Sequence, residues 1–111
     1  MNAIVNVKQY IDSNMSHELN LDLLSQHQFI SKFHLLRLFK RYYGLSPRQY
    51  LLNKRFSYAK KLLFDGIAIS EACYAAGFTS PASFSTLFKN TFGYTPGEFQ
   101  KRAIFTKSSR C

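Results

Sequence analysis

One sequence pattern occurs twice in this chain, 49 residues apart. The segment FISKFHLLRLFKRYYGLSPRQY (29–50) aligns without a gap with FTSPASFSTLFKNTFGYTPGEF (78–99), and this alignment pairs Phe29 with Phe78. Two copies are too few for a solenoid, in which at least three stacked repeats build a continuous core. The pattern therefore predicts a tandem pair of one supersecondary unit.

Apolar residues recur at helical spacing along most of the chain, as Ile4, Val7 and Ile11 do near its start. No segment alternates apolar and polar residues as a half-buried strand does. The pattern predicts an all-α fold of about seven helices, at residues 3–14, 21–27, 32–43, 47–64, 69–76, 81–92 and 96–103.

Capping residues mark the ends of several predicted helices. Ser46 followed by Pro47 is an N-cap and first-turn pair that opens the long fourth helix. Thr95 and Glu98 have the spacing of a capping box, and Gly44 supplies the left-handed residue after the third helix. The predicted inner face of the third helix consists of four residues at helical spacing: Leu35, Leu38, Phe39 and Tyr42.

Each repeat combines a short helix, a turn and a longer helix, which together form a helix-turn-helix. We therefore predict two helix-turn-helix subdomains, each a homeodomain-like three-helix unit, joined by a long linker helix. The predicted segments are a first subdomain at 1–45, the linker helix at 46–65, a second subdomain at 66–105 and a flexible tail at 106–111.

The formal net charge of +9 indicates a polyanionic partner, either nucleic acid or an anionic lipid surface. The charge is unevenly distributed, because no acidic residue stands between Asp22 and Asp65, a window with nine lysines and arginines. The segment 66–96 holds only one acidic and one basic residue. The first repeat is therefore strongly basic and the second is nearly neutral.

The sequence carries no sign of export or of a membrane span. No stretch approaches the roughly 20 apolar residues that cross a bilayer, and the start of the chain is too polar for a signal peptide. Cys73 and Cys111 provide neither a disulfide framework nor a metal-ligand spacing. We expect a cytoplasmic protein with both thiols reduced.

A pair of helix-turn-helix units suits the reading of DNA. The major groove of B-DNA admits one α-helix, whose N-terminal side chains reach base edges while surrounding groups hold phosphates. Two such units on one connector would enter successive major grooves, about 34 Å apart. The pattern and the charge together predict sequence-specific binding to double-stranded DNA.

The same residues resemble a known family. ISKFHLLRLFKRYYGLSPRQYLLNKRFSYAKKLL and ISEACYAAGFTSPASFSTLFKNTFGYTPGEFQKR are similar to the DNA-binding domain of the AraC/XylS bacterial transcription regulators. The family signatures G-F-x-S and F-x-x-x-F-K-x-x-F-G-x-T-P stand at 77–80 and 84–96. The resemblance covers about residues 4–103. It implies two helix-turn-helix subdomains that bind asymmetric DNA sites and activate or repress promoters.

The resemblance also implies which side chains read bases. Arg37 stands at a family position that commonly contacts bases, and arginine can donate two hydrogen bonds to guanine. Phe33 would contact a thymine methyl group or, alternatively, is a scattered surface aromatic. Family members often carry arginine where Thr86 stands, so we expect the two halves to contribute unequally. The residues expected to read bases are Lys32, Phe33, Leu36 and Arg37 in the first recognition helix and Pro81, Ala82, Ser83, Ser85 and Thr86 in the second.

A second group of residues is expected to contact phosphates. Lys40 and Lys89 stand near the ends of their recognition helices, where a cation either holds a phosphate or compensates the helix dipole. Arg48 lies beside the N-terminus of the linker helix, and helix N-termini bind anions. Lys54, Lys60 and Lys61, further along that helix, are expected to form only its solvated side. The expected phosphate contacts are Ser31, Lys40, Arg41, Arg48, Ser80 and Lys89.

No arrangement of residues indicates catalysis. His17, His27 and His34 sit in different predicted elements with no cysteine or carboxylate joining them, so we expect no metal site. The sequence also lacks a Ser/His/Asp constellation, a glycine-rich phosphate loop and paired carboxylates. We therefore expect neither an enzyme nor a cofactor.

Two other classes of protein remain as alternatives. Exposure of Phe33, Leu36 and Phe105 would favour a helical protein-interaction module that contacts RNA polymerase or another regulator. A basic helical protein on anionic membranes ranks last, because no predicted helix has a wholly cationic face opposite a broad apolar one. RNA polymerase is a further candidate partner. Because members of the family usually carry a separate effector or dimerisation domain, the chain is either one domain of a longer regulator or a compact regulator by itself.

Overall fold

The computed structural model describes residues 2–109, which form seven α-helices and no strand. The helices are α1 (Asn2–Ser13), α2 (Leu21–His27), α3 (Lys32–Tyr43), α4 (Pro47–Phe64), α5 (Ile69–Ala75), α6 (Pro81–Phe92) and α7 (Pro96–Ser109). The all-α fold predicted from the sequence is confirmed. Six of the helices begin and end within one residue of their predicted bounds.

The last helix is longer than predicted. It was expected to end near Ala103, but α7 continues through Ser109, so residues 106–109 are helical where a flexible tail was predicted. The segment after Ala103 contains neither glycine nor proline, and nothing in it therefore stops a helix that is already formed. The final part of the predicted tail, 110–111, lies outside the described residues.

The chain divides into two compact units, Met1–Lys54 and Arg55–Cys111. The boundary falls within α4, whose Leu51 packs into the core of the first unit. The finer division predicted from the sequence, with a separate linker at 46–65, stays a prediction.

The first unit packs α1, α2, α3 and the start of α4 around one apolar core. Its buried residues are Ile4, Val7, Ile11, Leu21, Leu24, Leu35, Phe39 and Leu51. The ring of Phe39 lies 4.8 Å from that of Tyr43 and 5.7 Å from that of Tyr50, measured between ring centres. The expectation that Tyr42 lies inside was wrong, since it is 51% exposed and lines a shallow cavity beside Val5. Tyr43 packs against the core instead, because it stands one turn after Phe39.

A polar cluster on the surface of the first unit ties α1 to α4. The carboxylate of Asp12 accepts hydrogen bonds from the Tyr50 hydroxyl at 2.7 Å and from the Lys8 ammonium at 3.0 Å. The ammonium of Lys54 lies 3.6 Å from the same carboxylate. Burial alone would raise the pKa of Asp12, but these hydrogen bonds and nearby charges lower it overall.

The second unit has a core built largely from phenylalanine. Phe56 of α4 lies 5.2 Å from Phe78, 5.9 Å from Phe88 and 5.3 Å from Phe92 between ring centres. Tilted and edge-to-face pairs of this kind add to the free energy gained by burial of the rings. Cys73 of α5 is fully buried in the same unit, and this burial raises the pKa of its thiol.

An aromatic cage surrounds the ammonium group of Lys60. The nitrogen lies 3.6 Å from the centre of the Phe92 ring and between 5.4 and 5.9 Å from those of Phe88, Tyr94 and Phe99. It also donates a hydrogen bond of 3.3 Å to the Tyr94 hydroxyl. The expectation that Lys60 is merely solvated was therefore wrong, because rings that stand 28 to 39 residues later in the sequence surround it.

Matched capping boxes begin α4 and α7. The backbone N–H of Gln49 donates to the Ser46 hydroxyl at 3.2 Å, and the Gln49 amide oxygen accepts from the Ser46 N–H at 3.0 Å. Thr95 and Glu98 make the same exchange at 3.1 and 2.9 Å. These reciprocal bonds satisfy backbone donors that a helix start otherwise leaves unpaired, so both predicted helix starts are confirmed.

Candidate nucleic-acid interface

The two helix-turn-helix turns differ in length by one residue. The first turn, between α2 and α3, comprises residues 28–31, and the second, between α5 and α6, comprises residues 76–80. The gapless pairing of Phe29 with Phe78 was therefore wrong at this point. The repeats align at a spacing of 49 from the start of α3 onward and at a spacing of 48 before the turn.

Hydrogen bonds establish the correct pairing in the turns. The N–H of Ile30 donates to the Ser25 carbonyl at 3.1 Å, as the N–H of Phe78 donates to that of Cys73 at 3.0 Å. Ile30 packs against the core of the first unit, and Phe78 packs on the rings of the second. Ile30 and Phe78 therefore occupy corresponding positions in the two turns, and each packs its turn against the core of its own unit.

The residue before each of these has a left-handed backbone conformation. Phe29 has φ 58° and corresponds to Gly77, which has φ 96°. Among residues 2–109, Phe29 is the one non-glycine residue with positive φ, and its side chain is 95% exposed. Left-handed backbone costs a side-chain-bearing residue about 1–2 kcal/mol. The gapless alignment paired Phe29 with Phe78 rather than with Gly77, so it did not predict this exposure.

The first recognition helix, α3, is held at both ends by local hydrogen bonds. The Ser31 hydroxyl accepts from the N–H of His34 at 3.2 Å, and Gly44 at φ 77° donates its N–H to the Lys40 carbonyl at 2.8 Å. Leu35 and Phe39 are fully buried and fix the inner face. Because these two residues set the rotation of α3 about its axis, the opposite side of the helix is exposed to solvent.

Aromatic and basic side chains form a stripe on that outer face. Phe33, Arg37 and Arg41 follow one another at four-residue spacing, which places them on one side of the helix. Phe33 is 76% exposed, and Arg37, Lys40 and Arg41 are exposed too. No acidic residue occurs in α3, so no negative charge on this helix offsets the two arginines of the stripe.

Two of the α3 residues predicted to read bases are less accessible. Lys32 is partly buried, and its ammonium lies 3.6 Å from the carboxylate of Asp22. Leu36 is partly buried against the core of the first unit. The side chains of the stripe are therefore more accessible than those of Lys32 and Leu36, and Lys32 would have to leave Asp22 to reach a base.

The second recognition helix, α6, is capped in the same way but carries small side chains. The Ser80 hydroxyl accepts from the N–H of Ser83 at 3.4 Å, and Pro81 occupies the first turn. The Thr86 hydroxyl donates to the Ala82 carbonyl at 3.1 Å, so its proton is already used within the helix. Lys89 is the only basic residue of α6.

The outer face of α6 is open and shallow. Ala82, Ser83 and Thr86 are exposed, whereas Pro81 and Ser85 are partly buried. Ala82, Ser83 and Thr86 line a shallow depression together with a fourth residue, Leu87, which is 41% exposed. Sequence reasoning did not assign Leu87 to this face, and its place three residues after Phe84 and one before Phe88 gives no clear signal of exposure.

The remaining candidates for phosphate contact lie at helix ends. Arg48 is exposed in the first turn of α4, which contains no acidic residue. Lys40 and Arg41 lie in the last turn of α3, and Lys89 lies in the last turn of α6. Each of these cations is free of acidic neighbours on its own helix.

Residues 2–109 contain neither a metal-binding cluster nor a membrane-spanning helix. No three histidine, cysteine, aspartate or glutamate side chains in this part of the chain come close enough together to hold a metal ion. No helix within the same range is long and apolar enough to cross a membrane.

Comparison with known proteins places the chain among helix-turn-helix regulators. A family described as "Helix-turn-helix domain" matches residues 24–102. The chain is 31% identical over 98 residues to the probable transcriptional regulator LumQ of Photobacterium leiognathi, a match that covers 87% of this chain and 40% of LumQ. The chain therefore spans less than half the length of that relative.

Two solved structures have the same fold. One is a probable AraC family transcriptional regulator from Rhodopseudomonas palustris, with 28% identity, a TM-score of 0.77, and coverage of 93% of this chain and 98% of the other. The second is the C-terminal domain of AraT, a response regulator from Geobacillus stearothermophilus. Its identity is 26%, its TM-score is 0.83, and the match covers 92% of this chain and 86% of that domain.

Proposed function

Because this chain belongs to the AraC/XylS family of helix-turn-helix transcription regulators, we propose that it binds double-stranded DNA sequence-specifically and regulates transcription. In this proposal α3 and α6 are the recognition helices, and each enters the major groove of one half of an asymmetric site. The observation that carries the proposal is the exposed stripe of Phe33, Arg37 and Arg41 on a capped helix that has no acidic residue.

The two helices would read DNA by different chemistry. Arg37 is a long, exposed donor that can bind guanine O6 and N7 together, and Phe33 is placed to contact a thymine methyl group. On α6, the short exposed side chains of Ala82 and Ser83 would let the helix come close to the bases. Thr86, whose hydroxyl already donates within the helix, would add only a short-range contact. The first half of the site would therefore carry most of the base discrimination.

Phosphate contacts would supply much of the affinity. The cationic candidates are Lys40, Arg41, Arg48 and Lys89, all of them exposed. Ser31 and Ser80 accept a hydrogen bond from their own helices and keep a hydroxyl proton that can be donated to a phosphate. Four neutralised phosphates correspond to a fall of about 100-fold in affinity between 50 and 200 mM salt.

Selection of bound sequences from a random duplex library, followed by salt titration on the selected site, tests the proposal. A consensus with two half-sites and a salt slope near −3.6 is expected (~0.9 per neutralised phosphate). A library that returns no consensus, together with binding that does not change with salt, would exclude sequence-specific DNA binding.

The activity of the whole regulator is a further proposal, since the chain spans 40% of LumQ. We propose that an effector or dimerisation domain belongs to the same longer regulator. We also propose that the protein acts in the cytoplasm, where bacterial DNA lies, and that it contacts RNA polymerase at its promoters.

One observation favours a protein-interaction module as the second candidate. Ile104 and Phe105 near the end of α7 are large apolar side chains that are 55% and 77% exposed. A protein partner could cover these side chains. Loss of promoter activation with unchanged DNA binding in Phe105→Ala would favour this function for α7.

A further inference from the structure

We infer that Phe29, in the turn before the first recognition helix, is a DNA-contacting residue that extends the first half-site. The inference rests on the proposed function, because it takes DNA as the ligand. It adds an aromatic contact at a position where the second unit has only a glycine, Gly77.

The backbone at Phe29 is that of a glycine position. Its φ of 58° lies in the left-handed region, and the corresponding Gly77 has φ 96°. The N–H groups also correspond, since Phe29 donates to the Gln26 carbonyl at 3.2 Å and Gly77 to the Tyr74 carbonyl at 3.0 Å. Glycine would adopt this conformation without steric cost, so local folding does not call for a phenylalanine here.

The ring of Phe29 does not contribute to the core of the first unit. Its side chain is 95% exposed, the largest exposure among the large apolar residues of the described chain. The packing role in this turn belongs to the next residue, Ile30, which lies against the core. Only a bound partner can remove this apolar surface from water.

The position of Phe29 argues that this partner is DNA. Phe29 stands two residues before Ser31, the N-cap of α3, and four residues before the exposed Phe33. Residues at the N-terminus of a recognition helix are those that contact base edges in the groove, and Phe29 lies just before this N-terminus. The exposed side chains of α3 are all aromatic or basic, and basic side chains favour binding to a duplex.

The contact would be apolar. A phenylalanine ring offers no hydrogen-bond donor, so it would pack on thymine methyl groups and deoxyribose carbons at the rim of the groove. Such a contact discriminates between sequences only where a thymine is present. It would therefore add a preference for thymine at the outer end of the first half-site.

Binding of the selected DNA site by the wild-type chain and by Phe29→Gly tests the inference. Glycine relieves the left-handed strain, so we expect a melting temperature a few degrees higher, about 4–8 °C. We expect the affinity for the selected site to fall about tenfold, as loss of roughly half of a buried phenylalanine would give. Phe29→Asn, which also tolerates left-handed backbone, should give the same loss of affinity.

Two controls separate the ring from general effects. Phe29→Tyr keeps the ring and should bind within about twofold of the wild type, a difference of less than ~0.5 kcal/mol. Phe105→Ala removes another exposed aromatic, 77% accessible, from α7 and should leave affinity unchanged. Replacement of thymine by uracil at the outer end of the first half-site should weaken the wild type and leave Phe29→Gly unaffected.

The possible outcomes keep the two proposals apart. If the wild type binds the selected site with the expected salt dependence and Phe29→Gly binds equally well, Phe29 does not contact DNA and the proposed function stands. If the wild type itself selects no sequence, the proposed function fails and this inference fails with it.

Discussion

The ammonium nitrogen of Lys60 lies 3.6 Å from the centre of the Phe92 ring, so the cation is held over the face of the ring. Lys60→Met keeps the aliphatic stem and removes the charge. We expect it to lower the free energy of unfolding by about 1–2 kcal/mol, the range for a partly desolvated cation–π contact. Urea denaturation measures the change. Lys61→Met, an exposed neighbour, should change stability by less than about 0.5 kcal/mol, and equal losses in both variants would contradict a role for the cage.

The polar cluster at Asp12 predicts a dependence of stability on pH. Because the pKa of Asp12 is lower in the folded chain than in the unfolded chain, the folded state binds fewer protons. The stabilisation is therefore fully present above about pH 4, the ordinary value for aspartate, and is lost as pH falls through the lower folded pKa. Asp12→Asn should cost about 0.5–1 kcal/mol at pH 7 and almost nothing at the acid end.

Chemical denaturation of wild type and Asp12→Asn between pH 7 and pH 2 measures this difference. Glu18→Gln, at an exposed position on the same unit, serves as the charge-matched control. A difference between wild type and Asp12→Asn that stays constant over the whole pH range would show that the cluster acts by packing rather than by charge.

Arg37→Ala should weaken binding to the selected DNA site by about 1–3 kcal/mol if the guanidinium makes a bidentate contact with guanine. Binding to random DNA should weaken much less. Lys101→Ala, on the exposed side of α7, removes the same charge and should have only the small effect of net charge. An equal loss on selected and random DNA would assign Arg37 to a phosphate instead.

Ser31 allows capping and DNA contact to be separated. Ser31→Asp keeps an N-cap acceptor and places a negative charge at a helix N-terminus, so stability should stay within about 0.5 kcal/mol of the wild type. The same charge would repel a phosphate, so DNA affinity should fall at least tenfold (about 1.4 kcal/mol). Thr95→Asp at the N-cap of α7 adds the same charge elsewhere and should bind nearly normally. Normal binding by Ser31→Asp would remove Ser31 from the interface.

Helix positions followed from the sequence because their ends carry local chemical signals. Ser31, Ser46 and Thr95 each accept from a backbone N–H three residues later, and Gly44 adopts the left-handed conformation that its position demands. These interactions join residues that are close together in sequence, so both partners can be identified from the sequence alone. The end of α7 was misplaced for the same reason, because no such signal exists there.

Features that depend on distant partners were not predictable in this way. The cage around Lys60 is made by rings 28 to 39 positions away, and the pairing of Lys32 with Asp22 depends on how α2 lies against α3. Phe29 was paired with Phe78 instead of Gly77 because the first turn is one residue shorter than the second, and this difference leaves the helix patterns on both sides of the turn unchanged. The base-reading and phosphate-contacting residues as a set remain predictions that the DNA-binding experiments will decide.

The buried thiol of Cys73 gives the chain its own reporter of local opening. A thiol reagent can reach this side chain only when the second unit opens, so the rate of labelling measures how often that happens. With Cys111 replaced by serine, Cys73 is the one remaining thiol, so labelling reports only the opening of the second unit. The same measurement with and without DNA would reveal how strongly binding holds the second unit closed, independently of any change in the first.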